Sequence, residues 1–131
     1  MFDVGRNASF SKTISESDVY MFAGITGDFN PIHVDAEKSK DSIFGKRIVH
    51  GILVTGFLST IIGTSMPGEG TIYMEQDIKF VKPVYIGDTI TAVVRIAEVL
   101  NEEKKILKLD TIIRNQNNDI VCDGYAVVKA P

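Results

Sequence analysis

At 131 residues, with 44% apolar and 24% charged side chains, the chain has the length of one domain and the composition of a globular protein. These proportions exclude a disordered or fibrous chain, and a formal charge of −3 gives no overall attraction for nucleic acid or an anionic membrane. The lone Cys122 excludes an internal disulfide, and no Cys/His cluster stands at metal-ligand spacing.

In chain order, MFDVGRNASF lacks the basic-then-apolar pattern of a signal peptide, so a cytoplasmic location is expected. FSKTI, near residue 10, reads as a short strand. Ser15-Glu16-Ser17-Asp18 has the spacing of a capping box, in which a Ser and an acidic residue three positions on satisfy each other's backbone donors. Val19, Phe22, Ala23 and Thr26 recur behind it at helical spacing, and Gly27 ends the helix. Asn30-Pro31 cannot continue it, because proline lacks the N–H and its ring clashes with the preceding turn. A further helical turn is expected at residues 35–39, capped by Asp35.

Residues 51–65, GILVTGFLSTIIGTS, are apolar on nearly every side, the pattern of a helix surrounded by protein. The run is interrupted by Thr55, Gly56, Ser59 and Thr60 and is too short to span a bilayer. MPGEG then turns the chain. TIYMEQDIKFVKP, TITAVVRIAEVL, ILKLDTIIRNQ and IVCDGYAVVKA read as strands, with hairpin connections at Asn101–Lys104 and Asn117-Asn118-Asp119. The expected fold is α+β, an antiparallel meander curling around one buried helix, its open edges covered by a second copy.

Two stretches carry candidate chemistry. GDFNPIH places Asp28 and His33 five apart, and with Pro31 breaking the helix a tight loop can aim both side chains into one cavity. A carboxylate beside an imidazole is an acid/base pair tunable around neutrality. The same residues have a structural use, Asp28 capping a turn and His33 binding a backbone carbonyl, and the residue types alone leave both open. RIVHG, residues 47–51, leads into the apolar helix, whose free N–H groups and positive dipole end suit a developing negative charge. Gly51 there lets a ligand approach the backbone, although His50 could be a simple cap. The Ser59 hydroxyl is expected to bond back to the Thr55 carbonyl. Lys46, Arg47, Lys79 and Lys82 read as surface cations available to an anionic ligand.

Phe22…Thr26-Gly27-Asp28-x-Asn30-Pro31-Ile32-His33 with Ser39, then FGKRIVHG, the helix up to Ser59 and PGEGTIYMEQDIKFVKPVYIGD, resembles the MaoC-like (R)-specific enoyl-CoA hydratases, or hydratase 2 family. The resemblance covers nearly the whole chain. It implies one hot-dog domain over residues 1–131, an antiparallel sheet wrapped around a long central helix, assembled as a homodimer. It further implies Asp28 and His33 as the catalytic pair, the Gly51 backbone N–H as oxyanion donor, and Asn30 and Ser59 as supporting polar residues. The implied reaction adds water to a trans-2-enoyl-CoA to give an (R)-3-hydroxyacyl-CoA, without metal or cofactor, coenzyme A being part of the substrate. Leu58 and Ile62 are expected to line the acyl pocket. A hot-dog acyl-CoA thioesterase is an alternative, disfavoured because residues 51–65 hold no Asp or Glu. A non-catalytic acyl-CoA-binding module is another, and would leave the Asp28/His33 pair without a use.

Overall fold

The computed structural model describes residues 2–131. In order the elements are β1 (Asn7–Thr13), α1 (Glu16–Thr26), α2 (Pro31–Val34), α3 (Ala36–Lys40), α4 (Gly51–Thr64), β2 (Ile72–Phe80), β3 (Thr89–Asn101), β4 (Ile106–Arg114) and β5 (Ile120–Lys129). Among the described residues no helix is long and apolar enough to cross a membrane.

Local chemistry sets the helix ends. Ser15 accepts from the Asp18 N–H, and the Asp18 carboxylate accepts from the Ser15 N–H at 2.9 Å, closing the capping box. That backbone bond holds the Asp18 carboxyl below its ordinary value. Gly27 stops α1 at φ +80°, a left-handed conformation that costs glycine little. The loop expected after Pro31 is instead a helical turn. Proline blocks the interior of a helix but suits its first position, where its missing N–H would have had no partner. Pro31 therefore opens α2, with Asn30 accepting from the Ile32 N–H at 3.3 Å. Asp35 caps α3 as expected, accepting from the Glu37 and Lys38 N–H groups.

The five strands form one sheet in the order β1-β3-β4-β5-β2, every neighbour antiparallel. Only β3, β4 and β5 make the expected meander. The chain leaves β2 at one edge and crosses to the other side, so β2 pairs with β5, Ile72 opposite Lys129, and not with β3. Alternation assigns residues to faces but does not name a strand's neighbour. On the inner face, Ile90, Ala92, Val94 and Ile96 of β3 lie beside Leu107, Leu109, Thr111 and Ile113 of β4, all buried. The sheet wraps α4, which sets Val54, Leu58, Ile61 and Ile62 into this core. The helix is not surrounded within the single chain, however. Ile52 is 62% exposed, and Gly56 and Ser59 share its open side.

Strands β2 and β5 approach so closely at Gly124 that a Cβ there would stand 1.9 Å from the Asp77 carbonyl oxygen. Gly124→Ala must push the strands apart, and should destabilise the fold by on the order of 1–3 kcal/mol, the usual cost of overpacking. Urea unfolding would show a lower midpoint at unchanged slope. An unaltered midpoint would contradict this packing.

Candidate active site

Three short segments meet at the start of α4. The Ile48 N–H donates to the Ile32 carbonyl at 3.0 Å, and the Val49 N–H to the Val84 carbonyl at 2.7 Å, so residues 48–49 are stitched between α2 and the chain beyond β2. The buried Ser39 hydroxyl is shared between the Asp35 carbonyl at 2.6 Å and the Pro31 carbonyl at 3.2 Å, tying α3 to α2. These bonds fix the helical turn that carries His33.

The histidine tautomers follow from their partners. A carbonyl oxygen only accepts, so His33 Nδ1, 2.7 Å from the Ile48 oxygen, carries a hydrogen and leaves Nε2 as a bare lone pair in the neutral ring. His50 Nε2 donates to the Asp28 carbonyl at 2.9 Å, and its Nδ1 is buried without a partner among the described residues. The two rings stack with centroids 3.8 Å apart and planes inclined by 27°, while Phe22 packs on His50 at 4.8 Å. Burial holds the His33 pKa below its ordinary 6.5; the Ile48 carbonyl opposes this, His50 adds to it and the Asp28 charge opposes it.

Asp28, by contrast, is exposed. Its candidate ligand oxygen and one ring nitrogen from each of His33 and His50 all lie within 4.8 Å of one another. Its Oδ1 also accepts from the Asn30 N–H at 3.2 Å. The structural and chemical readings of the motif therefore coexist: Asp28 caps a turn, and His33 binds a carbonyl through one nitrogen while keeping the other free. The Asn30 side chain is used in capping α2. Asp28, His33 and His50 are the one group of three potential metal ligands among the described residues, assembled from positions that follow no metal-motif spacing. Rings stacked face to face direct their in-plane lone pairs side by side, whereas a shared ion needs them to converge at about 2.0–2.1 Å. Turning the rings would break the bonds to Ile48 and Asp28. The geometry suits proton transfer.

Helix α4 starts at Gly51, and its cap residue His50 makes no side-chain capping bond, so the simple-cap reading of His50 is replaced by the bond to Asp28. No backbone acceptor takes the Gly51 N–H within the described chain. A Cβ at this position would lie 2.6 Å from the Phe80 ring, which occupies the space of a side chain. Beside it opens a cavity of about 420 Å³, lined by Phe44, Ile48, Ile52, Phe80, Val84 and Cys122 among others. Burial pushes the Cys122 thiol up to about 11, which makes it a wall and not a nucleophile.

Other expectations fare differently. Ser59 is exposed and makes no bond to the Thr55 carbonyl; back-bonding on α4 is done by Thr55 to Ile52 and Thr64 to Thr60. Leu58 and Ile62, 0% and 2% exposed, point into the sheet, and neither lines the cavity at Gly51. Arg47 is engaged by Glu16 at 2.5 Å and Tyr20 at 2.7 Å, and Lys46 sits 4.6 Å over the Tyr85 ring. Lys82 lines the cavity and pairs with Asp119 at 3.5 Å.

Residues 3–117 match the family model described as MaoC like domain. The chain is 43% identical over 127 residues to the (R)-specific enoyl-CoA hydratase of Rhodospirillum rubrum, covering 97% of this chain and 87% of that protein. It is 35% identical to a mitochondrial 3-hydroxyacyl-[acyl-carrier-protein] dehydratase of Arabidopsis thaliana, covering 100% of this chain and 79% of that one. Among solved structures, the (R)-hydratase from A. caviae involved in PHA biosynthesis superimposes with a TM-score of 0.95 at 38% identity, over 99% of this chain and 98% of the other.

The depressed His33 pKa has a consequence for stability. The unfolded imidazole, at its ordinary 6.5, binds protons that the folded ring resists. The contribution is intact above that value and declines as pH falls through it toward the folded pKa. Urea unfolding should show stability dropping as the pH falls below the ordinary 6.5, and His33→Gln should flatten that drop. Parallel pH profiles for the two proteins would refute it. Asp18 acts in a separate window, below its ordinary 3.8.

Proposed function

The chain belongs to the MaoC-like family, and from that premise we propose that it is an (R)-specific enoyl-CoA hydratase. It adds water across the double bond of a trans-2-enoyl-CoA to give an (R)-3-hydroxyacyl-CoA, and catalyses the reverse dehydration. The observation that carries this reading is a free His33 Nε2 beside the Asp28 carboxylate, next to a helix N-terminus whose Gly51 N–H is uncommitted.

In this mechanism the thioester oxygen sits at the Gly51 N–H, where the donor and the dipole of α4 stabilise the enolate-like charge. The apolar cavity beside Gly51 takes the neighbouring part of the substrate. His33 Nε2 removes a proton from water as the water oxygen bonds to the β-carbon. Asp28 orients the water, takes up the proton held on His33 and delivers it to the α-carbon, so that the pair ends as it began. Asn30 supports it by holding the loop, and Ser59, on the open side of α4, is a supporting polar group of the substrate channel. Neither metal nor prosthetic group enters these steps, coenzyme A being part of the substrate.

The same reading calls for a homodimer. Ile25, Phe29, Ile52, Ile72, Met74 and Phe80 are each more than half exposed in the single chain. Strand β2 is an edge, with backbone groups free to pair. A two-fold dimer joined along β2 would cover this apolar surface and shelter the exposed Asp28 from bulk water.

Purified protein with trans-2-enoyl-CoAs should consume the enoyl absorbance and yield the (R) alcohol, giving no signal with an (S)-specific dehydrogenase. Folded Asp28→Asn and His33→Gln should each lose roughly 10²–10⁴-fold in kcat, as expected of a general acid or base. KM should stay within about threefold, because most of the substrate binds elsewhere. An (S) product, or variants within about tenfold of the parent kcat, would overturn the reading. Light scattering at micromolar concentration should give twice the chain mass of 14.4 kDa. A fully active monomer would refute the dimer.

A further inference from the structure

We propose that His50 is a positioning residue, which holds the Asp28 backbone through its Nε2–H and shields one face of the His33 ring through its own. This rests on the hydratase reading above, in which Asp28 and His33 act on one water.

The bond from His50 Nε2 to the Asp28 carbonyl, 2.9 Å long, joins the first residue before α4 to the loop after α1. Apart from it, the Asp28 loop is held by short local contacts: Asp28 N–H to Thr26 Oγ1 at 3.2 Å, and Asn30 N–H to Asp28 Oδ1 at 3.2 Å. Such contacts shape a turn without placing it relative to another element. His50 supplies that placement, and His33 is placed independently through Ile48.

The stacking supplies the second function. At 3.8 Å between centroids, the His50 ring covers a face of His33 that water would otherwise solvate. The titratable groups facing His33 are Asp28, from the loop between α1 and α2, and His50, from the start of α4. His50 itself is 2% exposed, and its Nδ1 has no partner. A buried imidazole kept only for packing would ordinarily have both nitrogens satisfied, because a bare buried polar atom is destabilising. An apolar ring would fill this space without that cost. What the imidazole provides, and an apolar ring does not, is the donor to Asp28.

Two variants separate these functions. His50→Phe keeps a flat ring and loses the donor. His50→Gln keeps an amide donor where Nε2 stands and loses the ring. In the Phe variant kcat should fall roughly 10–100-fold, the scale of a misplacement of about 1 Å. Its KM should hold within about threefold, and the acid limb of its kcat/KM profile should stay near that of the parent. The Gln variant should recover at least about a third of the parent kcat. Its acid limb should move to higher pH, because water regains access to His33 and eases its resistance to protonation. Titration of His33 followed by NMR should move the same way. Parent-like kcat in His50→Phe overturns the proposal, and so does a common loss in both variants that tracks melting temperature with no change in the acid limb. If the Phe variant does not fold, the His33 titration in the Gln variant decides. A parent protein inactive on every enoyl-CoA sinks the hydratase reading instead, and leaves the His33 titration as a separate test of His50.

Discussion

Everything at the site depends on two imidazole–carbonyl hydrogen bonds. An imidazole facing water can turn over and exchange tautomers, and its basic nitrogen then points nowhere in particular. Here the Ile48 and Asp28 carbonyls each claim one N–H, and each claim determines which nitrogen is left as a lone pair. For His33 the remaining nitrogen, Nε2, is the one free to accept a proton. For His50 the consequence falls on its partner, since the residue bound is the one that carries the carboxylate.

The fold supplies the fixed points for these bonds. Helix α4 is anchored by packing Val54, Leu58, Ile61 and Ile62 against the sheet, and its N-terminus inherits that rigidity. The loop after α1 and the turn of α2 contribute little buried apolar surface, so they are located through hydrogen bonds to the residues leading into α4: Ile48 to Ile32 and His50 to Asp28. The division has an electrostatic result. His33 lies on the buried side of the junction and Asp28 on the exposed side. A buried imidazole and an exposed carboxylate thus meet at one junction, and burial holds the His33 pKa below its ordinary value.

Much of this was legible in the sequence wherever the cause is local. The capping box at Ser15, the glycine stop at Gly27 and the Asp35 cap each need only neighbours within a few residues, and the hydrophobic periods identified α4 and the strands. Three features were not legible, each for a different reason. The place of β2 beside β5 is a matter of topology, to which alternation is blind. The open side of α4 escaped because apolar residues announce a wish to be covered without saying what covers them. The bond of His50 to Asp28 is hidden because its partner lies 22 residues earlier, and nothing in RIVHG reports that contact. Leu58 and Ile62 illustrate the converse: apolar residues near a candidate site serve the core as readily as a ligand.

The Phe80 ring, seated where a side chain at position 51 would be, ties the approach to α4 to the edge of the sheet. The ring stands at the end of β2 and is 52% exposed in the single chain. A ligand that reaches the Gly51 backbone passes beside this ring, since both line the same cavity. Any shift at the end of β2 therefore widens or narrows the way to the Gly51 backbone.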